Sequence, residues 1–385
     1  MQAQGKRVLF VTTTLNVGGA EVMLVELVRH LVARGYRVGV ASLAGAGVYG
    51  ETLRELGATL FTAGSTLQAA TLASRAVSEF APDVVHGWMY HGNVAAWLGA
   101  KLRMHARPLL WTVHQSLYDL KNEKPRTRIF LRASRAMSTT VEHITYVSGT
   151  SREQHHAFGY SARSDSTIAN GFDVPDAELL TTWRRQVRAE LGIADGAFVV
   201  GQVARYHPMK NHLGMLRIAA RVAASTDLQL LLLGDGLDAS NTELANAIDT
   251  LGVRPCVRLL GRRSDTRQVM AALDALCVPS LWGEAFPMVM GEAMTVGVAC
   301  VASDIGDSRE LVRDVGHLVT AGDEATFADR LVQMARRSPE ASAAEGQRAR
   351  AFIEANFGLR EVAARYERLY EQLARGQAVP AVEQA

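Results

Sequence analysis

The sequence predicts an α/β protein made of two doubly wound domains, each with a parallel sheet between layers of helices. Short runs of β-branched and aliphatic residues alternate with longer amphipathic stretches, which is typical of repeated βαβ units. The alternation occurs twice along 385 residues, a length that suits two domains with full cores. Two tandem domains of this type usually face a cleft and bind a ligand there, at the carboxyl ends of their strands.

The first alternation begins with a predicted strand over residues 7–14 and a helix over residues 20–34. Lys6 and Arg7 precede the apolar run as in a signal peptide, but polar residues from Thr12 onward end it early, which favours a strand. Further strands of this half are predicted at residues 36–43, 58–62, 83–86, 109–114, 144–147 and 167–169. One parallel sheet accounts for all of them.

The pattern breaks between residues 171 and 193, where a charged helix over 179–191 is predicted and where we place the inter-domain linker. A second set of strands is predicted at residues 198–204, 228–233, 257–260, 275–279 and 300–302. After Asp323 the chain reads as consecutive helices, and the last, over 358–373, is long enough to pack back on the first domain. The predicted domains are therefore residues 1–172 with 358–385, and residues 173–357.

Composition and charge exclude several classes of protein. With 48% hydrophobic and 21% charged residues, the chain is neither disordered nor collagen-like. The formal net charge is +2, and no nucleic-acid-binding motif occurs, so a nucleic-acid partner is not expected. No run of about 18 apolar residues occurs, so no transmembrane helix is predicted. The three cysteines, in apolar contexts, suit buried reduced thiols in a cytoplasmic protein.

Two loops at predicted strand ends carry groups suited to phosphate. The turn over residues 16–21 holds Gly18 and Gly19 and opens a helix, whose free N–H groups favour an anion. The loop after residue 203 holds Arg205 and Lys210; Arg binds phosphate bidentately, and Lys supplies a compact charge. The alternative for the first loop is a tight turn that binds nothing. The alternative for the second is that Arg205 and Lys210 are solvated cations.

Residues 279–294 carry the strongest signal. A strand ends, a loop carries Glu284, Pro287 stands where a helix begins, and Glu292 lies within that helix among apolar residues. A carboxylate in apolar surroundings needs a hydrogen-bonding partner. Because Glu284 precedes the helix, the two carboxylates need not lie on one helix face. One could therefore contact the sugar of a ligand while the other contacts its ribose. The alternatives are a surface Glu284 and a structural ion pair at Glu292.

Three histidines follow strands in the first half, at positions 86, 91 and 114. We expect packed or hydrogen-bonded side chains for His86 and His91 and keep His114 as a candidate. The sequence has no HExxH, CxxC or Asp-x-Asp motif, so neither a metal nor another cofactor is expected. It also lacks a Gly-x-Ser-x-Gly elbow and a Walker loop, which excludes two common enzyme classes.

Residues 101–135 form a basic segment with nine Lys or Arg and two acidic residues. Apolar side chains lie between the cations, a pattern that suits an anionic lipid surface, at about 1 kcal/mol per cation. The candidate membrane or acceptor contacts are Lys121, Lys124, Arg126, Arg128 and Arg132. A solvated helix face is the alternative.

Together these motifs resemble the retaining glycosyltransferases of family 4, which have the GT-B fold. The resemblance runs in order through nearly the whole chain, over residues 18–21, 170–173, 205–210, 234–236 and 284–292, followed by Glu310. The Glu-x7-Glu segment is its most specific motif, and the Gly-Gly turn is the least specific. The chain departs from the commonest pattern at Ala285, where the family often has Gly, and at Phe172, where it often has Val.

The resemblance implies a nucleotide diphosphate sugar as donor, bound by the second domain. Arg205 and Lys210 would bind the pyrophosphate, while Glu292 would bind the ribose and Glu284 the donor-sugar hydroxyls. His114 would face the donor sugar and, with Arg205, Lys210 and Glu284, count as catalytic. The remaining implied donor contacts are Gly18, Gly19, Phe286, Pro287 and Met288.

The same resemblance implies retaining, metal-independent transfer to a lipid-linked saccharide in bacterial surface polysaccharide synthesis. UDP is favoured as the carrier by family frequency, with GDP as the alternative. The protein would act at the cytoplasmic face of the inner membrane, attached peripherally to anionic lipid. Two other functions remain open: a nucleotide-sugar 2-epimerase of the same fold, and a non-catalytic nucleotide-sugar binding protein.

Overall fold

The computed structural model describes residues 5–101, 107–117, 125–377 and 379, which form two units. The first unit consists of Met1–Gly171 and Leu359–Ala385, and the second of Phe172–Gly358. Each is built on one parallel sheet covered by helices. The predicted fold class, two doubly wound Rossmann-like domains, is therefore confirmed.

All seven strands of the first unit pair in parallel. They are β1 (Arg7–Thr12), β2 (Arg37–Ser42), β3 (Thr59–Thr62), β4 (Val84–Trp88), β5 (Leu109–Val113), β6 (His143–Tyr146) and β7 (Asp165–Thr167). Their order in the sheet is β3-β2-β1-β4-β5-β6-β7, so the order reverses beside β1. The helices are α1 (Gly19–Ala33), α2 (Gly50–Glu55), α3 (Thr66–Phe80), α4 (Met89–Lys101), α5 (Pro125–Ser138) and α6 (Gly149–Phe158).

The continuous apolar run of β1 reflects a sheet buried on both faces. Val8 and Phe10 belong to the core cluster that includes α1, while Leu9 and Val11 belong to the cluster on the other face, which includes α3. Because successive side chains of a strand point to opposite faces, a strand covered on both sides needs apolar residues at every position. The carboxyl ends of these strands lead into the loops that carry Gly18, Gly19 and His114.

Six parallel strands form the sheet of the second unit. Its helices are α7 (Ala177–Glu190), α8 (His212–Ala223), α9 (Thr242–Thr250), α10 (Thr266–Ala271), α11 (Met288–Thr295), α12 (Ser308–Val312), α13 (Glu324–Ala335) and α14 (Pro339–Phe357). The strands are β8 (Phe198–Val203), β9 (Leu228–Leu233), β10 (Val257–Gly261), β11 (Ala275–Val278), β12 (Ala299–Ser303) and β13 (His317–Val319). Their order is β10-β9-β8-β11-β12-β13, which reverses beside β8.

Two strands differ from the sequence prediction. β13 was not predicted, because three residues are too few to show a period. β7 lies at Asp165–Thr167 rather than at 167–169, because the apolar Ile168 that suggested the strand follows it. The helix predicted within the linker segment is α7, and the structure assigns it to the second unit.

The last helix, α15 (Leu359–Ala374), belongs to the first unit, as predicted. Its Tyr366 and Tyr370 are buried in the core cluster that contains α1. The Tyr370 hydroxyl lies 2.9 Å from Nδ1 of His86 on β4, and Nε2 of His86 lies 2.6 Å from Oγ1 of Thr112. A helix from the chain's end is thus fixed to the centre of the first sheet.

The three cysteines are buried thiols, as expected. Cys256, Cys277 and Cys300 are free and buried, and burial raises the pKa of each thiol. Among the described residues, no helix combines the length and the apolar character that a membrane span requires.

Candidate functional site

Lys210 lies on a rigid loop after the first strand of the second unit. A single 3-10 turn, Pro208–Lys210, follows His207, whose Nδ1 accepts a hydrogen bond from the Met209 N–H (3.2 Å). Gln202, buried in β8, donates from Nε2 to the Lys210 carbonyl (2.6 Å). Asn211 then adopts a left-handed conformation (φ +56°) and caps α8 with its side chain. The Lys210 backbone is therefore held on both sides.

The Lys210 ammonium pairs with Glu284 inside the unit. Nζ lies 2.5 Å from Oε1 of Glu284, and the side chains are only 17% and 8% exposed. Ser280, which is 1% exposed, donates from Oγ to the same oxygen (2.7 Å). Burying two charges is costly unless they pair closely and gain further hydrogen bonds, and both conditions hold here. An ammonium has three donors, so Lys210 can bind a phosphate oxygen while it remains paired.

Glycines shape the loop that carries Glu284. Gly283 has φ +80°, and a Cβ there would lie 2.4 Å from Sδ of Met209. Gly306 has φ +56°, and a Cβ there would lie 2.1 Å from the Glu284 carbonyl oxygen. Ala285, where the resembling family often has Gly, is not among the residues with positive φ. The Ala285 departure therefore leaves the loop unstrained.

Aromatic packing fixes the start of α11. Phe286 is buried between Phe172 (centroid distance 6.1 Å, stacked) and Phe357 (5.5 Å). Pro287 is the N-cap residue and Met288 the first helical residue, so the predicted helix start is correct. Phe172, the second departure from the family pattern, thus supports the loop rather than disturbing it. The first N–H groups of α11 lack intrahelical acceptors, as at every helix start.

Glu292 and Arg205 differ from the paired residues. Burial raises the pKa of the Glu292 carboxyl, and the charge of Arg267 opposes that shift. Arg205 is exposed. Neither side chain makes a hydrogen bond or a close ion pair with the part of the chain that the structure describes, and Arg267 is the cation whose charge acts on Glu292. The structure joins Lys210 to Glu284.

The Gly234-Asp235-Gly236 segment supports the Arg205 loop. Gly234 has φ +148°, and a Cβ there would lie 2.1 Å from the Ala204 carbonyl oxygen. The Tyr206 N–H donates to the Asp235 carbonyl (2.7 Å). Because only glycine allows this approach, the segment holds the loop that carries Arg205 and Lys210.

In the first unit, the turn before α1 offers a helix N-terminus. Gly18 is the N-cap residue and makes no side-chain cap, and Gly19 opens the helix. Glu21 was assigned no role from the sequence, yet a Cβ at Gly18 would lie 2.3 Å from its Oε2. Burial raises the pKa of Glu21, and a hydrogen bond to its own backbone opposes the shift. The Glu21 carboxyl group therefore lies close to the position that an anion would occupy at this turn.

His114 lies directly after β5, with its ring against Trp88 at a centroid distance of 4.4 Å. Burial lowers its pKa to about 3, and neither ring nitrogen has a hydrogen-bond partner among the described residues. The ring is therefore neutral at neutral pH and can serve as a hydrogen-bonding group but not as a cation. His86 is packed and hydrogen-bonded, as expected, and His91 packs against Phe130 with tilted rings at a centroid distance of 4.1 Å.

The basic segment is described only in part. Lys121 and Lys124 lie outside the described residues, as does the side chain of Arg126. On α5, Arg132 is exposed and Ile129 is 64% exposed, while Arg128 is half-buried. A cation and a large apolar side chain are thus exposed on one short helix.

A cavity of about 560 Å³ in the second unit lies away from these loops. Its lining includes Phe198 and Ala299, the first residues of β8 and β12, so it opens at the amino ends of the strands. Its cations are already paired, Arg188 with Asp274 (2.8 Å) and Arg337 with Glu345. It does not contain the predicted site residues. Among the described residues, no cluster of three or more His, Cys, Asp or Glu could hold a metal ion.

Two families of known proteins match the chain, one in each half. Glycosyltransferase Family 4 matches residues 17–175, which include Gly18, Gly19 and His114. The family described as Glycosyl transferases group 1 matches residues 197–337, which include Lys210 and Glu284.

Curated relatives cover different shares of the chain. The putative glycosyltransferase EpsF of Bacillus subtilis (strain 168) is 28% identical over 323 residues, 79% of this chain and 80% of EpsF. The N-acetyl-alpha-D-glucosaminyl L-malate synthase of Bacillus anthracis is 26% identical over 192 residues, 49% of each protein. The phosphatidyl-myo-inositol mannosyltransferase of Mycobacterium leprae (strain TN) is 40% identical over 114 residues, 29% of each. The chain thus spans half or less of the length of these last two relatives.

Solved structures extend the similarity across nearly the whole chain. Anabaena Alr3699/HepE in complex with UDP is 25% identical with a TM-score of 0.81, covering 95% of this chain and 100% of HepE. The sucrose-phosphate synthase of Thermosynechococcus elongatus has a TM-score of 0.75 at 18% identity, over 97% and 100% of the two chains. Since family matches cover both halves and the fold agrees, the chain belongs to the family 4, group 1 glycosyltransferases with the GT-B fold.

Proposed function

We propose that this protein transfers a sugar, with retention of configuration, from a nucleotide diphosphate sugar to a hydroxyl of a lipid-linked saccharide. The observation that carries the proposal is the buried Lys210–Glu284 pair on two strand-end loops of one unit. A cation beside a carboxylate suits a ligand that joins a pyrophosphate to a sugar, because phosphate needs positive charge and sugar hydroxyls need acceptors.

We propose UDP as the nucleotide. HepE has been solved with UDP and with UDP-glucose. A relative from Escherichia coli, 30% identical over 174 residues (44% of each protein), is the UDP-Gal:alpha-D-GlcNAc-diphosphoundecaprenol alpha-1,3-galactosyltransferase. That name also supports a lipid diphosphate saccharide as acceptor, and we propose a role in surface polysaccharide synthesis on that basis.

In the proposed mechanism, the second unit stabilises the leaving diphosphate with its own charges. Lys210 and the exposed Arg205 bind the pyrophosphate, Glu284 accepts hydrogen bonds from sugar hydroxyls, and Glu292 accepts them from the ribose. Preorganised donors aimed at developing charge lower the barrier most where water is excluded, and Lys210 is only 17% exposed. These cations supply the positive charge without a metal ion. The bond between the anomeric carbon of the sugar and the diphosphate breaks, and the acceptor hydroxyl attacks that carbon from the same face. The proton of the hydroxyl passes to the leaving phosphate.

For the first unit, we propose that the Gly18–Gly19 turn binds an anionic group at the start of α1. We propose that His114 acts as a neutral hydrogen-bonding group, since burial keeps its pKa at about 3. At the start of α11, the backbone around Phe286, Pro287 and Met288 completes the donor contacts.

Thermal unfolding with UDP, GDP and ADP tests the donor class. Nucleotide at about 100 times its dissociation constant adds roughly 2.7 kcal/mol of stability to a chain that binds it. We expect UDP to raise the Tm of the wild type and to raise that of Lys210→Ala less. A shift with GDP alone would replace UDP in the proposal, and no shift with any nucleotide or nucleotide sugar would contradict it.

Product analysis separates transfer from the competing functions. Incubation with the stabilising nucleotide sugar, without acceptor, should leave its sugar unepimerised. With lipid-linked saccharide added, a new glycoside should form with retained anomeric configuration. An epimerised sugar would identify an epimerase, and binding without any turnover would identify a non-catalytic protein.

We also propose that α5 helps the protein to attach to the anionic cytoplasmic face of the inner membrane. Its exposed Arg132 and Ile129 combine charge with an apolar side chain.

The double variant Ile129→Ser/Arg132→Glu should bind phosphatidylglycerol vesicles at least tenfold more weakly in a sedimentation assay, because it removes apolar contact and reverses a charge worth about 1 kcal/mol. The control is Arg330→Glu, which reverses an exposed charge on α13 of the second unit. Equal binding by wild type and both variants would show that α5 is only a solvated face.

A further inference from the structure

We propose that Ser280 is a positioning residue that orients the Glu284 carboxylate toward the donor sugar. The inference rests on the proposed function. Ser280 follows β11 and Pro279, is 1% exposed, and donates from Oγ to Oε1 of Glu284 at 2.7 Å. Sequence reasoning passed over it because its role depends on a contact rather than on a motif.

The geometry assigns this role because two donors converge on one oxygen. Lys210 Nζ and Ser280 Oγ lie 2.5 and 2.7 Å from Oε1 of Glu284. Each of these donors restrains the position of Oε1. Two donors from different loops restrain this oxygen more tightly than the ammonium alone, and charge-assisted hydrogen bonds hold this arrangement strongly.

The backbone around Ser280 is itself held. The N–H of Leu281, the next residue, donates to the Met209 carbonyl (2.8 Å), and Met209 precedes Lys210. The loops of Ser280 and Lys210 are thus linked through the backbone as well as through Glu284. A change at the Ser280 hydroxyl alters the carboxylate while this backbone link remains.

Ser280→Ala therefore affects the sugar more than the nucleotide. Lys210 keeps its ion pair and its proposed contact with phosphate, so the affinity for UDP stays the same. Oε1 of Glu284 loses one of its two donors and shifts, so the hydrogen bonds from the sugar hydroxyls weaken. The effect is a loss of the extra affinity that the sugar gives, together with slower turnover.

The test compares dissociation constants for UDP and for a UDP-sugar by calorimetry in wild type and three variants. The sugar is the one among UDP-glucose, UDP-galactose and UDP-N-acetylglucosamine that stabilises the wild type most. Ser280→Ala removes the donor, and Ser280→Thr restores a hydroxyl. Ser303→Ala is the matched control, since Ser303 is also 1% exposed but its Oγ has no partner within the described part of the chain.

We expect Ser280→Ala to bind UDP within twofold of wild type but to lose about tenfold in UDP-sugar affinity and in kcat. Ser280→Thr should recover most of both losses, and Ser303→Ala should match wild type. Equal loss of UDP and UDP-sugar affinity, or no loss at all, would overturn the role of Ser280. Failure of the wild type to bind any nucleotide sugar would instead overturn the proposed function.

Discussion

Turnover falls by about 10² or more when Lys210 is replaced by alanine, because the ammonium that stabilises the leaving diphosphate is lost. The expected loss lies in kcat and in kcat/KM, since charge develops on the phosphate mainly in the transition state. The measurement is release of UDP from the donor sugar that stabilises the wild type. Near-normal turnover in a folded variant would remove Lys210 from the mechanism.

Loss of folding could imitate this result, because Lys210→Ala leaves the buried Glu284 charge unpaired. Breaking such a pair costs about 3–5 kcal/mol. The double variant Lys210→Met/Glu284→Gln removes both charges and should recover most of that stability. It should remain inactive, because it lacks both proposed substrate contacts. Recovery of turnover together with stability would mean that the pair is structural.

An exposed ion pair in the same unit provides the control. Arg217 on α8 contacts Glu324 at 2.5 Å, as closely as Lys210 contacts Glu284, but its side chain is 48% exposed. Exposed pairs contribute about 0–1 kcal/mol, so Arg217→Ala should fold and turn over normally. The two ion pairs have the same N···O distance but differ in exposure, so the comparison shows the effect of burial rather than of distance.

The sequence predicted the sheets well because local patterns suffice for them. Strands such as β8 and β9 are apolar at nearly every position, and strands buried on both faces are distinctive. The three-residue β13 was missed, since its period cannot be read from so few residues.

The sequence named candidate site residues but not the contacts between them. Lys210 and Glu284 were both named, yet 74 residues separate them, and no pattern shows that they pair. The same holds for His86 and Tyr370, which are 284 residues apart. Such contacts depend on the fold, so only the structure reveals Ser280 beside Glu284.

Acid should destabilise the first unit well before the second, because three of its histidines are buried in neutral form. His86, His143 and His155 are each 0% exposed. Burial lowers the pKa of His143 and of His155 to about 4, and that of His86 well below its usual value. Their ring nitrogens are bonded within the unit; for example, Nε2 of His155 lies 2.7 Å from the Tyr90 hydroxyl.

Stability falls with decreasing pH because the unfolded chain binds more protons than the folded chain. Unfolded histidine has a pKa near 6.5, so the unfolded chain binds more protons than the folded chain between that value and the folded pKa. The contribution to stability is therefore full above about pH 6.5 and falls as the pH decreases toward 4. His143 and His155 each cost about 2 kcal/mol at pH 5, and His86 adds to the resulting loss of about 4 kcal/mol, a large part of a domain's 5–15 kcal/mol. Glu21 opposes this loss of stability, because its raised pKa lets the folded chain bind a proton more readily than the unfolded chain, but it is one group against three.

Hydrogen exchange of the full chain between pH 7.5 and pH 5, corrected for the intrinsic rate, locates the effect. We expect protection in β4, β5 and β6 to fall with a slope of more than three protons, because His114, with a pKa of about 3, adds to these three histidines. Strands β8 and β9 should lose less, because the second unit holds His212, with a pKa lowered to about 4, as its one fully comparable histidine among the described residues. His143→Gln and His155→Gln should each flatten the slope in the first unit by about one proton. Equal loss of protection in both units, or a slope unchanged by both substitutions, would show that carboxylates rather than these histidines control acid unfolding.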